Sequence, residues 1–411
     1  MLILNIFAIL LSLSAVFAYI NHRFIGLPTT IGVMLIALLC SVLVSIAGWL
    51  GMTGLEQQAA QLLAEIDFNI ALMNGMLSFL LFAGALHVNL QELAKQKWVI
   101  LSLATIGVCL STVIVGMLTF YLLKSLGIEV GLLYCILFGA LISPTDPVAV
   151  MSTVKRLGVS KELETTIAGE SLFNDGVGVV IFLVLLALLQ NPQAMDAGGI
   201  GLLFLEEAVG GIIFGLVLGL IGMYMLKTVD NYMVEILITL ALVMGGYTLA
   251  MAIHTSGPIA IVVTGLLIGN HGRSMAMSDK TREHLDNFWE LIDEILNIIL
   301  FVLIGLEILI LPINNLWLLA GVLVIPVVVG TRLFSVGMPI QVLRLKQNFA
   351  PNIVKILTWG GLRGGISVAL ALSLPAGEAR DIFLVMTYVV VVFSIVVQGL
   401  TVGPLIRRLS R

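Results

Sequence analysis

Charge is scarce in this chain. Only 11% of its 411 residues are Asp, Glu, Lys or Arg, against about a quarter in ordinary soluble domains. Cysteine is rarer still: Cys40, Cys109 and Cys135 lie in separate apolar runs, without CxxC or Cys/His spacing. That pattern argues against a disulfide framework or a thiolate metal cluster, and packing in apolar surroundings is the simpler reading. No run of like charge offers a surface for nucleic acid. No Gly-x-x-x-x-Gly-Lys-Ser/Thr loop offers a nucleotide site, which disfavours an ATP-driven machine. No basic residue precedes the first apolar run, Leu2 to about Ile20. Although Val16-Phe17-Ala18 would tolerate cleavage, the run therefore reads as a retained helix rather than a signal peptide.

What the chain has is apolar length. It is 60% hydrophobic, with a mean hydropathy of +1.14, which makes it an all-α polytopic membrane protein. Spans of about 20 apolar residues can be marked off between turn residues and charges. About 13 follow, near 2–20, 28–50, 70–88, 98–123, 130–153, 165–190, 199–226, 232–251, 257–271, 287–311, 316–341, 352–373 and 381–405. The loops are too short to fold as separate domains. Leu55 to Asp67, with Glu56, Glu65 and Asp67, reads as an amphipathic surface segment, and His271 to His284 as another.

Basic residues test this count, because cytoplasmic loops are enriched in them. With the N-terminus outside, Arg23, Lys95, Lys97, Lys155, Arg156, Lys161, Lys227, Arg273, Lys280, Arg282, Arg344, Lys346, Lys355, Arg407, Arg408 and Arg411 all fall inside. Only Lys124 and Arg380 fall outside. The reading is N-terminus out, C-terminus in.

The two remaining basic residues, Arg332 and Arg363, and a few acids lie well inside apolar runs, where an ionisable side chain marks a functional site by default. In Gly169-Glu-Ser-Leu-Phe-Asn-Asp-Gly176, residues Glu170, Asn174, Ser171 and Asp175 fall at roughly 0°, 40°, 100° and 140° around one helix. Arg332 and Arg363 are the buried cations available to such acids. Two spans are also interrupted. Ser143-Pro-Thr-Asp-Pro147 sets two prolines around Asp146, and Gly360-Gly-Leu-Arg-Gly-Gly365 sets four glycines around Arg363. Proline removes a donor and glycine weakens helix, so both stretches should unwind. The breaks hold the fifth place in each of two six-span sets, 1–6 and 8–13, with span 7 between them. An offset of seven reverses orientation, so the repeats are inverted, which points to a transporter with a midplane site.

Asp146 and Asp175, with Ser171, Asn174 and the freed Thr145 carbonyl, form an all-oxygen set suited to a small hard cation such as sodium or lithium. Burial penalises the charged form of an acid, so proton and cation compete for Asp175. That competition is sufficient for exchange without a cofactor. Glu170 and Arg332 are read as a structural ion pair. Arg363 is read as compensating the partial charges of broken-helix ends rather than touching substrate. The bland alternative, that Asp146 and Asp175 merely pack helices, asks less of two acids beside a broken span than they supply. Glu307 is a weaker candidate that can reach the outer interface. Glu290, Asp293 and Glu294 read as a solvated helix end in preference to a cation funnel, and a pH-sensing role for any of the five histidines is less favoured. Two other classes stay open: a channel, and an intramembrane aspartyl protease using Asp146 and Asp175 as a dyad.

At Ser143-Pro-Thr-Asp-Pro-Val-Ala-Val150, Gly169–Gly176, Thr331-Arg332 and Trp359-Gly-Gly-Leu-Arg-Gly364 the chain resembles the NhaP-type sodium/proton antiporters. These are the prokaryotic branch of the sodium/hydrogen exchanger family, and the resemblance covers nearly the whole length. It implies a secondary transporter, not an enzyme, in the cell (inner) membrane. The implied fold has two crossing discontinuous helices, in a homodimer of 13-helix protomers. A core domain from about 98–190 and 316–405 would move against a dimerisation domain from about 2–88 and 199–311. The implied ion ligands are Asp146, Ser171, Asp175 and the Thr145 carbonyl. Asn174-Asp175 is the version associated with electroneutral one-for-one exchange, and Glu170 with Arg332 is the family's buried pair. Potassium is the alternative cation. Ala83, within Leu80-Leu-Phe-Ala-Gly84, and Met251 stand where relatives often carry acids, which bears on cation access and pH dependence. No long regulatory tail follows Arg411.

Overall fold

In hydrocarbon every backbone N–H and C=O must find its partner within the protein, and a helix does this locally. The computed structural model describes residues 2–51, 53–64, 68–190, 197–272, 277–312, 314–347, 349 and 352–409. Among them there is no strand, only one isolated antiparallel bridge, between Asp146 and Leu362.

The helices are α1 (Leu2–Ile20), α2 (Thr29–Trp49), α3 (Thr53–Ala64), α4 (Ala71–Leu86), α5 (Leu90–Lys95) and α6 (Lys97–Ser125). Next come α7 (Leu132–Ile142), α8 (Val148–Leu157), α9 (Lys161–Gln190), α10 (Ala197–Lys227), α11 (Tyr232–Ala252) and α12 (Gly257–Leu267). The chain closes with α13 (Asp279–Leu306), α14 (Asn315–Leu343), α15 (Ile353–Gly360), α16 (Gly365–Leu372) and α17 (Glu378–Leu409). Each of the 13 expected spans coincides with a helix or, at the two breaks, with a pair of half-helices.

Among the described residues, eight helices are long and apolar enough to cross a membrane unaided. The others fall short for identifiable reasons. The pairs α7/α8 and α15/α16 reach span length only together, because residues 143–147 and 361–364 leave the helix. The first half of α13 is charged, from Asp279 to Glu294. The stretch expected as an amphipathic surface segment is largely α3, although Glu65 and Asp67 lie outside the described residues, as do Arg273 and Arg411. The second expected segment, from His271, is shortened from both ends. A wide helical turn extends α12 to Gly272, and Ser278 caps α13 by accepting from the Thr281 N–H.

Without a hydrophobic drive between helices in lipid, close approach depends on small residues. Helices α6 and α7 meet at Gly139, where any side chain would enter the backbone of Thr112. Around that pair, α9 packs on α7, while α14 packs on α6 and α17 and α16 packs on α17. A second set forms where α2 packs on α13, α12 packs on α4 and α10, and the Phe82 ring meets Trp289 at a tilt of 54° with 4.6 Å between ring centres. Helix α13 also reaches across to α16.

Candidate functional site

The two helix breaks meet. Pro144 and Pro147 cannot donate to a helical ladder, so the segment between them turns its polar groups elsewhere. The Asp146 N–H donates to the Leu362 carbonyl at 2.8 Å, stitching one break to the other. The Asp146 carboxylate accepts from the Val148 N–H at 2.9 Å, which caps the start of α8. Its other side lies against Gly364, where a Cβ would overlap the carboxylate.

Arg363 fills the second half of the crossing. Its backbone N–H donates to Ser394 Oγ at 2.9 Å, and Ser394 in turn donates to Gln398 Oε1 at 2.6 Å. Its guanidinium, only 2% exposed, donates to the carbonyls of Ser143 and Pro144. These carbonyls close α7, whose C-terminal end carries partial negative charge. The positive end of the Arg363 side chain therefore sits where α7 stops.

The polar stripe on α9 divides into three directions. Glu170 pairs with Arg332 at 2.5 Å, both buried. The Arg332 guanidinium lies against Gly361, where a Cβ would come within 2.6 Å of Nε. Asn174 is committed to Thr145: its Oδ1 accepts from the Thr145 N–H at 3.3 Å and its Nδ2 donates to Thr145 Oγ1 at 2.8 Å. Ser171 Oγ shares a hydrogen bond with the same Thr145 hydroxyl at 3.1 Å. Helix α9 can come this close because Gly178 faces Pro144, which a Cβ would approach within 2.5 Å.

Asp175 points in the third direction. It is 8% exposed, and no hydrogen bond to its carboxylate occurs among the described residues. It opens into a cavity of about 790 Å³ whose wall it shares with Thr145 and Asp146. The Thr145 carbonyl accepts no backbone hydrogen bond among the described residues. Two carboxylates and Thr145 thus share one cavity wall, with the Ser171 hydroxyl bonded to Thr145 but not itself lining it, and such an oxygen-rich wall can exchange a proton for a hard cation.

Asp146, Asp175 and Thr145 are thus brought to one cavity, whereas Glu170, Arg332 and Arg363 lie behind it. Ala83 lines the cavity and is buried. Met251 is 46% exposed and does not line it. Glu307 is buried within the protein, 4% exposed, and does not line the cavity. His87 lines the cavity with Nδ1 2.8 Å from the Ala83 carbonyl.

Two features escaped the sequence reading. Asp293 was expected at a solvated helix end, yet it faces the cavity with Asn297. The period of α13 carries the signal, since Asp293, Asn297 and Leu300 recur on one face. Ser367, in the first turn of α16, also lines the cavity; it is 1% exposed and its hydroxyl has no partner among the described residues. A serine just after a glycine-broken segment was the available clue.

The model of the family described as "Sodium/hydrogen exchanger, transmembrane" matches residues 11–408. The chain is 50% identical over 410 residues to the Na(+)/H(+) antiporter NhaP of Pseudomonas aeruginosa, covering 99% of this chain and 97% of that one. It is 37% identical to the Na(+)/H(+) antiporter NhaH of Halobacillus dabanensis over 349 residues, 84% of each chain. Among solved structures, the sodium proton antiporter MjNhaP1 from Methanocaldococcus jannaschii at pH 8 superposes with a TM-score of 0.77. That match covers 100% of this chain and 99% of that one at 20% identity, a likeness of fold.

Proposed function

The chain belongs to the sodium/hydrogen exchanger family, and from that membership we infer that it is a multi-pass secondary antiporter exchanging sodium for protons. The observation that carries the reading is the Asp175 carboxylate, which has no hydrogen-bond partner among the described residues and faces a cavity shared with Asp146 and Thr145. A buried carboxylate without a partner is costly unless it holds a cation or a proton. Either ligand satisfies it, and the two exclude one another.

In this reading Asp146, Asp175, Ser171 and the Thr145 carbonyl are the sodium ligands. Asp175 takes the proton when sodium leaves. Asn174 holds Thr145 in place and, being an amide, adds no second proton, which supports electroneutral one-for-one exchange. Glu170 with Arg332 is structural, and Arg363 neutralises the end of α7. A core of about 98–190 and 316–405 moves against a dimerisation domain of about 2–88 and 199–311, in a homodimer in the cell membrane. The N-terminus is outside and the C-terminus inside, supported by the distribution of Lys and Arg. The cavity, whose wall includes Lys155 and Lys161, then opens to the cytoplasm. The protease and channel readings of Asp146 and Asp175 have no support among the relatives above.

The test is a proteoliposome assay with an internal pH dye. Adding sodium or lithium should move protons without building a voltage. Potassium driving the exchange better than sodium would reassign the cation. Undiminished exchange in Asp175→Ala would remove the proposed site.

A further inference from the structure

The second broken helix brings to the cavity a hydroxyl that the exchange site described above does not use. Ser367 lies in the first turn of α16, one turn beyond Gly364, the glycine that lies against the Asp146 carboxylate. One turn is about 5 Å along the axis. Helix α16 also packs on α7 and on α9, the helix that carries Asp175.

A buried serine or threonine inside a helix ordinarily gives its hydroxyl to a carbonyl three or four residues earlier. Ser41 does so to Ala37 at 2.9 Å, Ser143 to Gly139 at 2.6 Å and Thr264 to Ala260 at 2.8 Å. For Ser367 the corresponding residues are Gly364 and Arg363, both ahead of the first helical residue, Gly365. Its hydroxyl is 1% exposed and has no partner among the described residues. Ser111, Thr119 and Thr387 share that condition, yet among all such hydroxyls only Ser367 lines the cavity of Asp146 and Asp175.

Sodium, a hard cation, takes oxygen ligands. Of the oxygens assigned to it above, Ser171 Oγ shares a hydrogen bond with Thr145 Oγ1 at 3.1 Å and does not line the cavity. Ser367 Oγ is uncommitted and shares the wall of the two acids. A hydroxyl also suits both stages of exchange. It can turn a lone pair to a bound cation, and its proton to a carboxylate once the cation has left.

We propose that Ser367 is a sodium ligand contributed by the second broken helix, so that the ion is held between both interrupted segments rather than by the first alone. The inference rests on the exchange reading above and adds one residue to its site. The second break then has two separate tasks: Arg363 neutralises the end of α7, and Ser367 coordinates.

The test uses the full-length protein in proteoliposomes with an internal pH dye, and sodium nitrate and thallium(I) nitrate as probes. Ser367→Ala removes a hydroxyl without a partner, so its thermal midpoint in sodium-free detergent should match wild type. Its half-saturating sodium should rise about three- to tenfold, the effect of losing one neutral contact of hydrogen-bond strength. Ser367→Cys keeps the shape but exchanges a hard oxygen for a soft sulfur. Relative to wild type, it should shift the preference from sodium towards thallium(I) by at least about threefold. A serine that only packs would not separate the two cations. Unchanged half-saturating sodium in Ser367→Ala, or an unchanged preference in Ser367→Cys, would overturn the proposal and leave the exchange reading standing. Wild-type proteoliposomes without sodium-driven proton movement would overturn the exchange reading itself, and this inference with it.

Discussion

The Asp146 N–H donates to the Leu362 carbonyl across 2.8 Å, so the two interrupted helices share a hydrogen bond that neither could make within itself. This bond does for two membrane-buried breaks what a helical ladder does elsewhere: it satisfies freed backbone without water. It also fixes where the Asp146 side chain emerges. The site is consequently as rigid as the crossing, and four predictions follow from how that crossing is held.

Gly364 lies against the Asp146 carboxylate, and its backbone is extended, with φ of −125°. Alanine there is tolerated by the backbone but not by the carboxylate. Gly364→Ala should leave the protein inserted and folded, as judged by monodisperse elution in detergent, while exchange in proteoliposomes falls at least about tenfold. Such a loss corresponds to a displacement cost near the lower end of overpacking penalties, about 1–3 kcal/mol.

Glu170 and Arg332 are both buried and 2.5 Å apart. Removing one partner leaves the other charge uncompensated, at a cost of about 3–5 kcal/mol. Glu170→Gln or Arg332→Met should each lower the thermal denaturation midpoint in detergent. Replacing both by apolar residues of similar volume should recover much of it. A double variant less stable than both singles would show that the pair does more than neutralise itself.

Arg363 serves two carbonyls with one planar guanidinium. Both bonds come from the one nitrogen Nη1, and lysine keeps the charge but ends in a shorter side chain without the planar group that places that nitrogen. Arg363→Lys should therefore retain part of the exchange rate, whereas Arg363→Gln should lose nearly all of it. Ser394→Ala, which removes the acceptor for the Arg363 backbone N–H together with the donor to Gln398 Oε1 but leaves the guanidinium, should fall between wild type and Arg363→Lys.

Asn174 uses both amide atoms on Thr145. Asn174→Asp loses the donor to Thr145 Oγ1 and introduces a third acid beside Asp175. Exchange by this variant should generate a voltage, read with a potential-sensitive dye, where wild type generates none. Asn174→Ala should instead lower the rate without making it voltage-generating, because it loosens Thr145 and adds no acid.

Much of this architecture was written in the chain. Hydrocarbon forces every crossing to be a helix of predictable length, so 13 spans could be counted from apolar runs and checked against Lys and Arg. The breaks were legible for the same reason: Pro144, Pro147 and the glycines from Gly360 to Gly365 cannot sustain a helical ladder. Even the partners of the buried acids were few, because Arg332 and Arg363 were the two cations left at depth.

Direction was not legible. Glu170, Ser171, Asn174 and Asp175 occupy one stripe, and helical periodicity cannot say that one faces Arg332, two face Thr145 and the last faces open space. Nor could it distinguish a solvated turn of α13 from one that lines a cavity, since both expose acids at the same spacing. Those choices depend on which helix lies opposite, and that is set by close contacts such as Gly178 on Pro144 and Gly364 on Asp146. Local chemistry alone determined what each segment is. Which carboxylate is spent on a neighbour and which is left free was decided only when residues as distant in the chain as Glu170 and Arg332, or Asp146 and Gly364, were packed against one another.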